Sequence, residues 1–165
     1  ALRDEIRAIL DGAPEHDAYE IPRQSSYCGR TIRHGGWSPD YCLRLFRRGT
    51  GRFTPVPVHE RIEVEGSIGR LRQAMQHEAF VDLDEVLRKV NQYSTLGARQ
   101  LHARGVRGSL RKALLKGLWA FWRTWLLKGS CLDGREGFML AVSNAEGTYY
   151  KVLKLLDLER KVKGS

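Results

Sequence analysis

The sequence has no long hydrophobic run. Its most apolar stretch, 118–127, covers ten residues and is broken by Arg123. That is well short of the roughly 18–20 residues a bilayer-spanning helix needs. Cysteine is scarce: Cys28, Cys42 and Cys131 are odd in number, scattered, and never form a C-x-x-C pair. This argues against a disulfide framework or a structural zinc site, and for a reducing compartment. No signal peptide opens the chain. Residue 1 already lies in helical-looking sequence, so the chain reads as cut from a longer protein. Internal repeats and low-complexity segments are also missing. Acidic residues are outnumbered, 19 against 28 Lys and Arg, which leaves a formal net charge of +9. Such a surface favours polyanions: nucleic acid, anionic membrane or phosphorylated small molecules. Charge alone does not choose among them. At 165 residues the chain is long enough for one domain with its own core.

The first half reads as mixed helix and strand. Leu2, Ile6, Ile9 and Leu10 have helical spacing, and Asp11-Gly12 with Pro14 ends that helix. Residues 18–27 read as a strand despite Pro22, which fits an edge or a bulge. Cys28-Gly29 is a turn, and Arg30-Thr31-Ile32 pairs back. A strand carries Leu43 and Leu45, residues 61–65 form another, and 68–77 gives one more extended segment. The second half is helical. Asp82 and Glu85 have the spacing of a capping box. Leu83, Leu87, Val90, Ser94, Gly97 and Leu101 then form a stripe ending near Arg104. In the helix over 110–128, Leu114, Leu118, Phe121 and Trp125 share one face. Lys112, Lys116 and Arg123 share another, and Trp119 and Trp122 lie on the margins. A last helix starts near Asp133, with Phe138, Val142, Ala145, Tyr149, Val152 and Leu156 on one stripe.

The chemistry-bearing residues concentrate in 32–61. A Gly35-Gly36 turn carries Trp37, Pro39 stiffens the backbone before Asp40, and a strand leaves from Asp40. His59 beside Glu60 follows. Asp40 has the character of a general base or of a plain turn residue. His59 suits a metal ligand or a structural histidine. Trp37 and Tyr41 suit stacking on a sugar face or packing in a turn. Arg33, Arg44, Arg47, Arg48 and Arg61 suit phosphate and carboxylate groups, or form a solvated basic face. Lys112, Lys116 and Arg123 opposite apolar and Trp residues suit a helix lying in a membrane interface, or one packed on its own domain.

Several stretches together resemble family 2 glycosyltransferases of the GT-A fold. They are His34-Gly35-Gly36-Trp37-Ser38-Pro39-Asp40-Tyr41, Leu43-Arg44-Leu45-Phe46-Arg47-Arg48 and Val58-His59-Glu60-Arg61. Asn91-Gln92-Tyr93-Ser94, Leu118-Trp119-Ala120-Phe121, Leu132-Asp133-Gly134-Arg135-Glu136-Gly137-Phe138 and Leu140-Ala141-Val142 extend the match. Within the family the chain is most similar to bacterial lipopolysaccharide core β-glucosyltransferases. The nucleotide-binding βαβ half and its D-x-D metal motif have no counterpart in this sequence.

The resemblance implies an α/β fold, α+β as a fragment. It would be the acceptor half of a GT-A domain, with a small mixed sheet over 1–80 and three C-terminal, membrane-associating helices over 81–165. It implies an inverting hexosyltransferase that moves a sugar, glucose from UDP-glucose, to the inner core of lipopolysaccharide, though inactive as this fragment alone. Asp40 matches the base and His59 a ligand of a divalent ion, Mg²⁺ or Mn²⁺, held mainly by the missing half. Arg33, His34, Trp37, Tyr41, Arg44, Arg47 and Arg61 would bind the acceptor. Lys112, Lys116, Trp119, Trp122, Arg123 and Trp125 would hold the protein peripherally on the cytoplasmic face of the bacterial inner membrane. The partners implied are the UDP-sugar, the lipopolysaccharide acceptor and an anionic membrane surface, not nucleic acid. The rival readings are a basic nucleic-acid-binding module, against which stand the missing zinc, RNP and helix-turn-helix patterns, and a non-catalytic membrane-surface adaptor.

Overall fold

A computed structural model of the chain describes residues 1–53 and 62–163. His59, Glu60 and Arg61 lie outside the described residues. The order of elements is α1 (Leu2–Asp11), β1 (Ala18–Tyr27), β2 (Arg30–Thr31), β3 (Tyr41–Phe46), β4 (Gly51–Phe53), β5 (Ile62–Val64), β6 (Ile68–Arg70) and β7 (Met75–Phe80). Three helices follow: α2 (Leu83–Ala103), α3 (Leu110–Trp122) and α4 (Gly134–Lys163). The fold class is therefore mixed α/β, with a small sheet followed by helices. The chain packs as two compact units, Ala1–Gln24 with Pro39–His77, and Ser25–Ser38 with Glu78–Ser165.

In the first unit, α1 lays Leu2, Ile6 and Ile9 against buried Tyr19, Ile21 and Leu71, as the apolar spacing of its sequence requires. β1 pairs antiparallel with β3 from Ala18↔Phe46 to Pro22↔Tyr41, with a register shift between Tyr19 and Glu20. Pro22 sits in the last pair of that ladder, where its missing N–H interrupts least. β6 runs parallel to β1, and β4 and β5 form a separate antiparallel pair. The extended segment expected over 68–77 is instead two strands. Leu71 turns into the core between them. The amides of Arg72 and Gln73 leave the ladder and donate to the Glu5 carboxylate at 2.8 and 2.9 Å.

In the second unit, β2 folds back on the end of β1 in the register Ser26↔Thr31 and Tyr27↔Arg30. α4 packs against both α2 and α3. Asp82 caps α2 by accepting from Glu85 N at 2.8 Å, while Glu85 reaches back to Val81 N at 2.9 Å. The buried side of α2 is Val86, Ser94 and Ala98, so the core-facing line is offset from the leucine stripe, and Leu83 and Leu87 are exposed. The offset is held by Lys154 of α4. Its ammonium donates to Asn91 O, Asn91 Oδ1, Ser94 Oγ and Thr95 Oγ1, all within 2.9 Å. Burial lowers the pKa of this lysine.

Small residues turn α3 toward α4. Ala113, Gly117 and Thr124 are the buried positions. A Cβ on Gly117 would lie 3.1 Å from Tyr149 Cβ and 3.4 Å from Ala145 O. The helix then opens into one π-helical turn over Arg123–Leu127. A left-handed Gly129 and a 3₁₀ turn over Ser130–Asp133 lead into α4. Tyr27, Ile32, Val86 and Leu140 form the core of this unit, with Trp37 and Phe80 packed on it.

Candidate functional site

The first unit carries the carboxylate edge. Asp40 immediately precedes β3, and Arg23 lies on β1. The backbone joins them first, Arg23 N donating to Asp40 O at 2.7 Å. The side chains then pair: Arg23 Nε donates to Asp40 Oδ2 at 2.7 Å, and Nη2 reaches the same oxygen. Both side chains are about one-third exposed, 31% and 33%. Oδ1 has no hydrogen-bond partner among the described residues. The result is a carboxylate fixed by one oxygen and open at the other. Tyr41 follows, exposed, with the Arg70 guanidinium 4.5 Å from its ring centroid. Arg70 is itself tied to Glu20 at 2.8 Å, and that bond raises its pKa. One face of Tyr41 is therefore already covered. Arg44 and Arg47 are exposed cations on and just after β3.

The second unit carries the glycine loop. Gly35 and Gly36 have φ of 70° and 84°, a left-handed backbone that a side chain would strain. Gly35 is also enclosed, because a Cβ there would meet Leu140 Cδ2 at 2.9 Å and Ser130 Cβ at 3.3 Å. Gly35 N donates to Lys128 O at 2.8 Å. Asp133, only 4% exposed, accepts from Arg33 N at 3.2 Å, His34 N at 2.8 Å and His34 Nδ1 at 3.0 Å. The loop is thus pinned to the turn between α3 and α4. Beside it, Glu136 is held by Arg135 and Arg30 at 3.0 and 3.4 Å. Its own backbone N–H, then Arg135, lowers its pKa.

This anchoring presents Trp37. Its ring stacks on Phe80, centroids 5.9 Å apart, and meets Tyr27 edge-on at 6.1 Å. Tyr27 pairs its hydroxyl with Ser143 at 2.8 Å, and burial raises its pKa. Lys89 Nζ lies 4.8 Å from the Phe80 centroid, held by Ala79 O at 2.9 Å and Glu85 at 3.0 Å. These aromatic rings line a pocket of about 270 Å³ within the second unit.

The structure gathers the expected residues into two groups, Asp40, Tyr41, Arg44 and Arg47 in one unit and Arg33, His34 and Trp37 in the other. His34 serves the loop's own geometry, and Arg33 is exposed. Arg23, Asp133 and Lys128 were not anticipated, because each acts through a partner distant in sequence. The cues to Asp133 were its place in the Leu132–Phe138 stretch and at the start of the last helix. Among the described residues no three His, Cys, Asp or Glu side chains converge as a metal site.

The third feature is α3. Leu110, Leu114, Leu115, Leu118, Trp119 and Trp122 are all exposed, Leu118 by 62% and Trp119 by 60%. Leu126 and Leu127 continue the surface through the π turn. Lys112, Lys116 and Arg123 are exposed along one flank. Trp125 differs from the other two tryptophans: it is half-buried, perpendicular to Phe138 at 5.2 Å and stacked on Phe121 at 6.3 Å. No described helix is long and apolar enough to cross a membrane.

No protein-family model and no solved structure matches the chain. It is similar to the lipopolysaccharide core biosynthesis glycosyltransferase LpsC of Rhizobium meliloti, with 30% identity over 162 residues, 94% of this chain and 58% of the relative. It is also similar to an uncharacterized glycosyltransferase of Rickettsia prowazekii, with 22% identity over 171 residues, 97% of this chain and 59% of the relative. The chain thus spans less than two-thirds of the length of these curated relatives, and what it shares with them runs through both of its packing units.

Proposed function

We propose that the chain is the acceptor-side portion of a glycosyltransferase that adds a sugar to a lipopolysaccharide-core acceptor at a membrane surface. The observation that carries this reading is the 30% identity to a lipopolysaccharide core glycosyltransferase over 94% of the chain. The proposed donor is UDP-glucose, used by a GT-A-type family 2 enzyme with inversion at the anomeric carbon. The acceptor hydroxyl attacks that carbon and forms the new C–O bond. The bond from the sugar to the diphosphate breaks, and the nucleoside diphosphate leaves with the electron pair. The hydroxyl proton goes to Asp40 Oδ1, the oxygen without a partner among the described residues, while Arg23 holds Oδ2 and so fixes the carboxylate's direction. Exposed Arg33, Arg44 and Arg47 attract phosphates of the acceptor.

A divalent ion belongs to this reading only through His59 and the part of the relatives' length that this chain does not span. The exposed Leu and Trp face of α3, flanked by Lys112, Lys116 and Arg123, fits a helix lying in a membrane interface. That would place the protein peripherally on the cytoplasmic face of the inner membrane, beside a lipid-linked acceptor.

The test is Asp40→Asn in the full-length enzyme, assayed by sugar transfer from UDP-glucose to lipopolysaccharide core. Asn keeps the shape and the turn but cannot accept the proton. Turnover should fall by roughly 10²–10⁴-fold, the usual range for general-base catalysis, with donor binding unchanged. Near-normal turnover in a folded variant removes Asp40 from the chemistry.

A further inference from the structure

The pocket beside the glycine loop lies within the second unit, between α2, α4 and the segment that carries Trp37. Its floor is apolar: Tyr27, Val86 and Leu140 are at most 2% exposed, and the Trp37–Phe80 pair covers them. Its rim is polar. Tyr93, Asn144, Thr148 and Lys151 all line it. At about 270 Å³, it lies just under the range of about 300 Å³ upward that holds a drug-sized ligand. That size suits a single ring rather than a long chain.

The chemistry of the rim narrows the ligand. An acyl chain would satisfy the floor and leave the Tyr93 and Thr148 hydroxyls and the Lys151 ammonium above it unused, which is costly where they are taken out of water. A sugar ring satisfies both, since its C–H face stacks on an aromatic ring while its hydroxyls meet the rim. Charge narrows it further. Of the two rim ammonium groups, that of Lys89 is matched by Glu85 at 3.0 Å. That of Lys151 has no carboxylate partner among the described residues. A ligand that brings its own acid completes the site.

We propose that this pocket is a saccharide subsite for one sugar ring bearing an acidic substituent. The ring lies over the Trp37–Phe80 pair, and the acid, a phosphate or a carboxylate, sits on Lys151. The assignment rests on the glycosyltransferase reading and names the class of acceptor residue the enzyme would hold.

Titration of the ¹⁵N-labelled chain with glucose, glucose 6-phosphate, glucuronate, UMP and inorganic phosphate tests it, read at the Trp37 indole and the Thr148 and Lys151 amides. The two acidic sugars should shift these signals saturably, and glucose should bind about tenfold more weakly, as loss of one charged hydrogen bond implies. Lys151→Gln should bring the acidic sugars down to the level of glucose without changing the fold, and phosphate alone should leave the indole unmoved. The comparison of the two acidic sugars decides between phosphate and carboxylate. Equal binding of glucose and glucose 6-phosphate, an unaffected Lys151→Gln variant, or shifts confined to residues outside the pocket would overturn the proposal. Stronger shifts with UMP than with either acidic sugar would overturn it in favour of a nucleotide site. Transferase activity of the full-length enzyme is read separately. Activity without sugar binding here removes only the subsite, whereas sugar binding without activity removes the enzyme reading.

Discussion

Asp133 and Asp40 show how partners leave one residue type in two different settings. Asp133 is buried and spends its oxygens on two backbone N–H groups and one imidazole N–H, so it shapes the loop. Asp40 is one-third exposed and gives only Oδ2 to Arg23, which is why the proposed base is Asp40 and not Asp133. The sequence marks Asp40, because Gly-Gly, Pro and a following strand enclose it. It marks Asp133 as a helix start and part of a matched stretch but not as the loop's anchor, because hydrogen bonds to residues about a hundred positions earlier leave no periodic trace. Arg23 was hidden for the same reason, inside a strand whose alternation says nothing about which arginine meets which acid. Asp133→Ala leaves Arg33 N and His34 N without their acceptor. Unpaired donors of this kind cost about 1–3 kcal/mol, so the chemical denaturation midpoint should fall by that equivalent and the Trp37 indole signal should broaden. An unchanged midpoint would mean that Lys128 O and the packing around Gly35 hold the loop unaided.

At the scale of elements, the boundaries were largely legible and the facing was not. α1, β1, α2 and the start of α4 fall where apolar spacing, Asp82 and the glycine breaks put them. The one strand that divides, over 68–77, does so because Glu5 captures two amides from a neighbouring element. Facing depends on what an element meets. The hydrophobic pattern of α3 marks its large residues, but small residues decide the contact: Ala113, Gly117 and Thr124 let α3 approach α4 closely. Large residues are thereby left outside. Gly117→Val and Leu118→Ser separate the two sides. Valine must displace Tyr149, and overpacking of this kind costs about 1–3 kcal/mol, so the melting temperature should drop. Leu118→Ser alters an exposed position, where changes stay within about 0.5 kcal/mol. The reverse ranking in a thermal melt would mean that α3 turns its leucine face inward in solution.

Across the whole molecule, the +9 charge and the apolar face have to be explained together. A nucleic-acid-binding surface accounts for the charge and leaves eight large apolar side chains of α3 and its π turn facing water. A core helix accounts for the apolar residues only if they are inside, and they are not. An anionic membrane would account for both, because lipid would take the leucines and Trp119 and Trp122 while the headgroups would meet Lys112, Lys116 and Arg123. Vesicles with anionic lipid should therefore bind the chain and shift its tryptophan fluorescence to the blue. Each basic residue near such a surface contributes about 1 kcal/mol. Replacing all three by Glu should weaken binding by about 100-fold or more, since 1.4 kcal/mol is a factor of ten. Raising the salt concentration should erase most of the difference between charged and neutral vesicles. Leu118→Ser with Trp119→Ser should weaken binding to both kinds of vesicle, because it removes buried area rather than charge. Tighter, salt-sensitive binding to duplex DNA than to anionic vesicles would hand the surface to nucleic acid. Equal vesicle binding by the triple Glu variant would remove the basic flank from the docking surface and leave only its leucines and tryptophans.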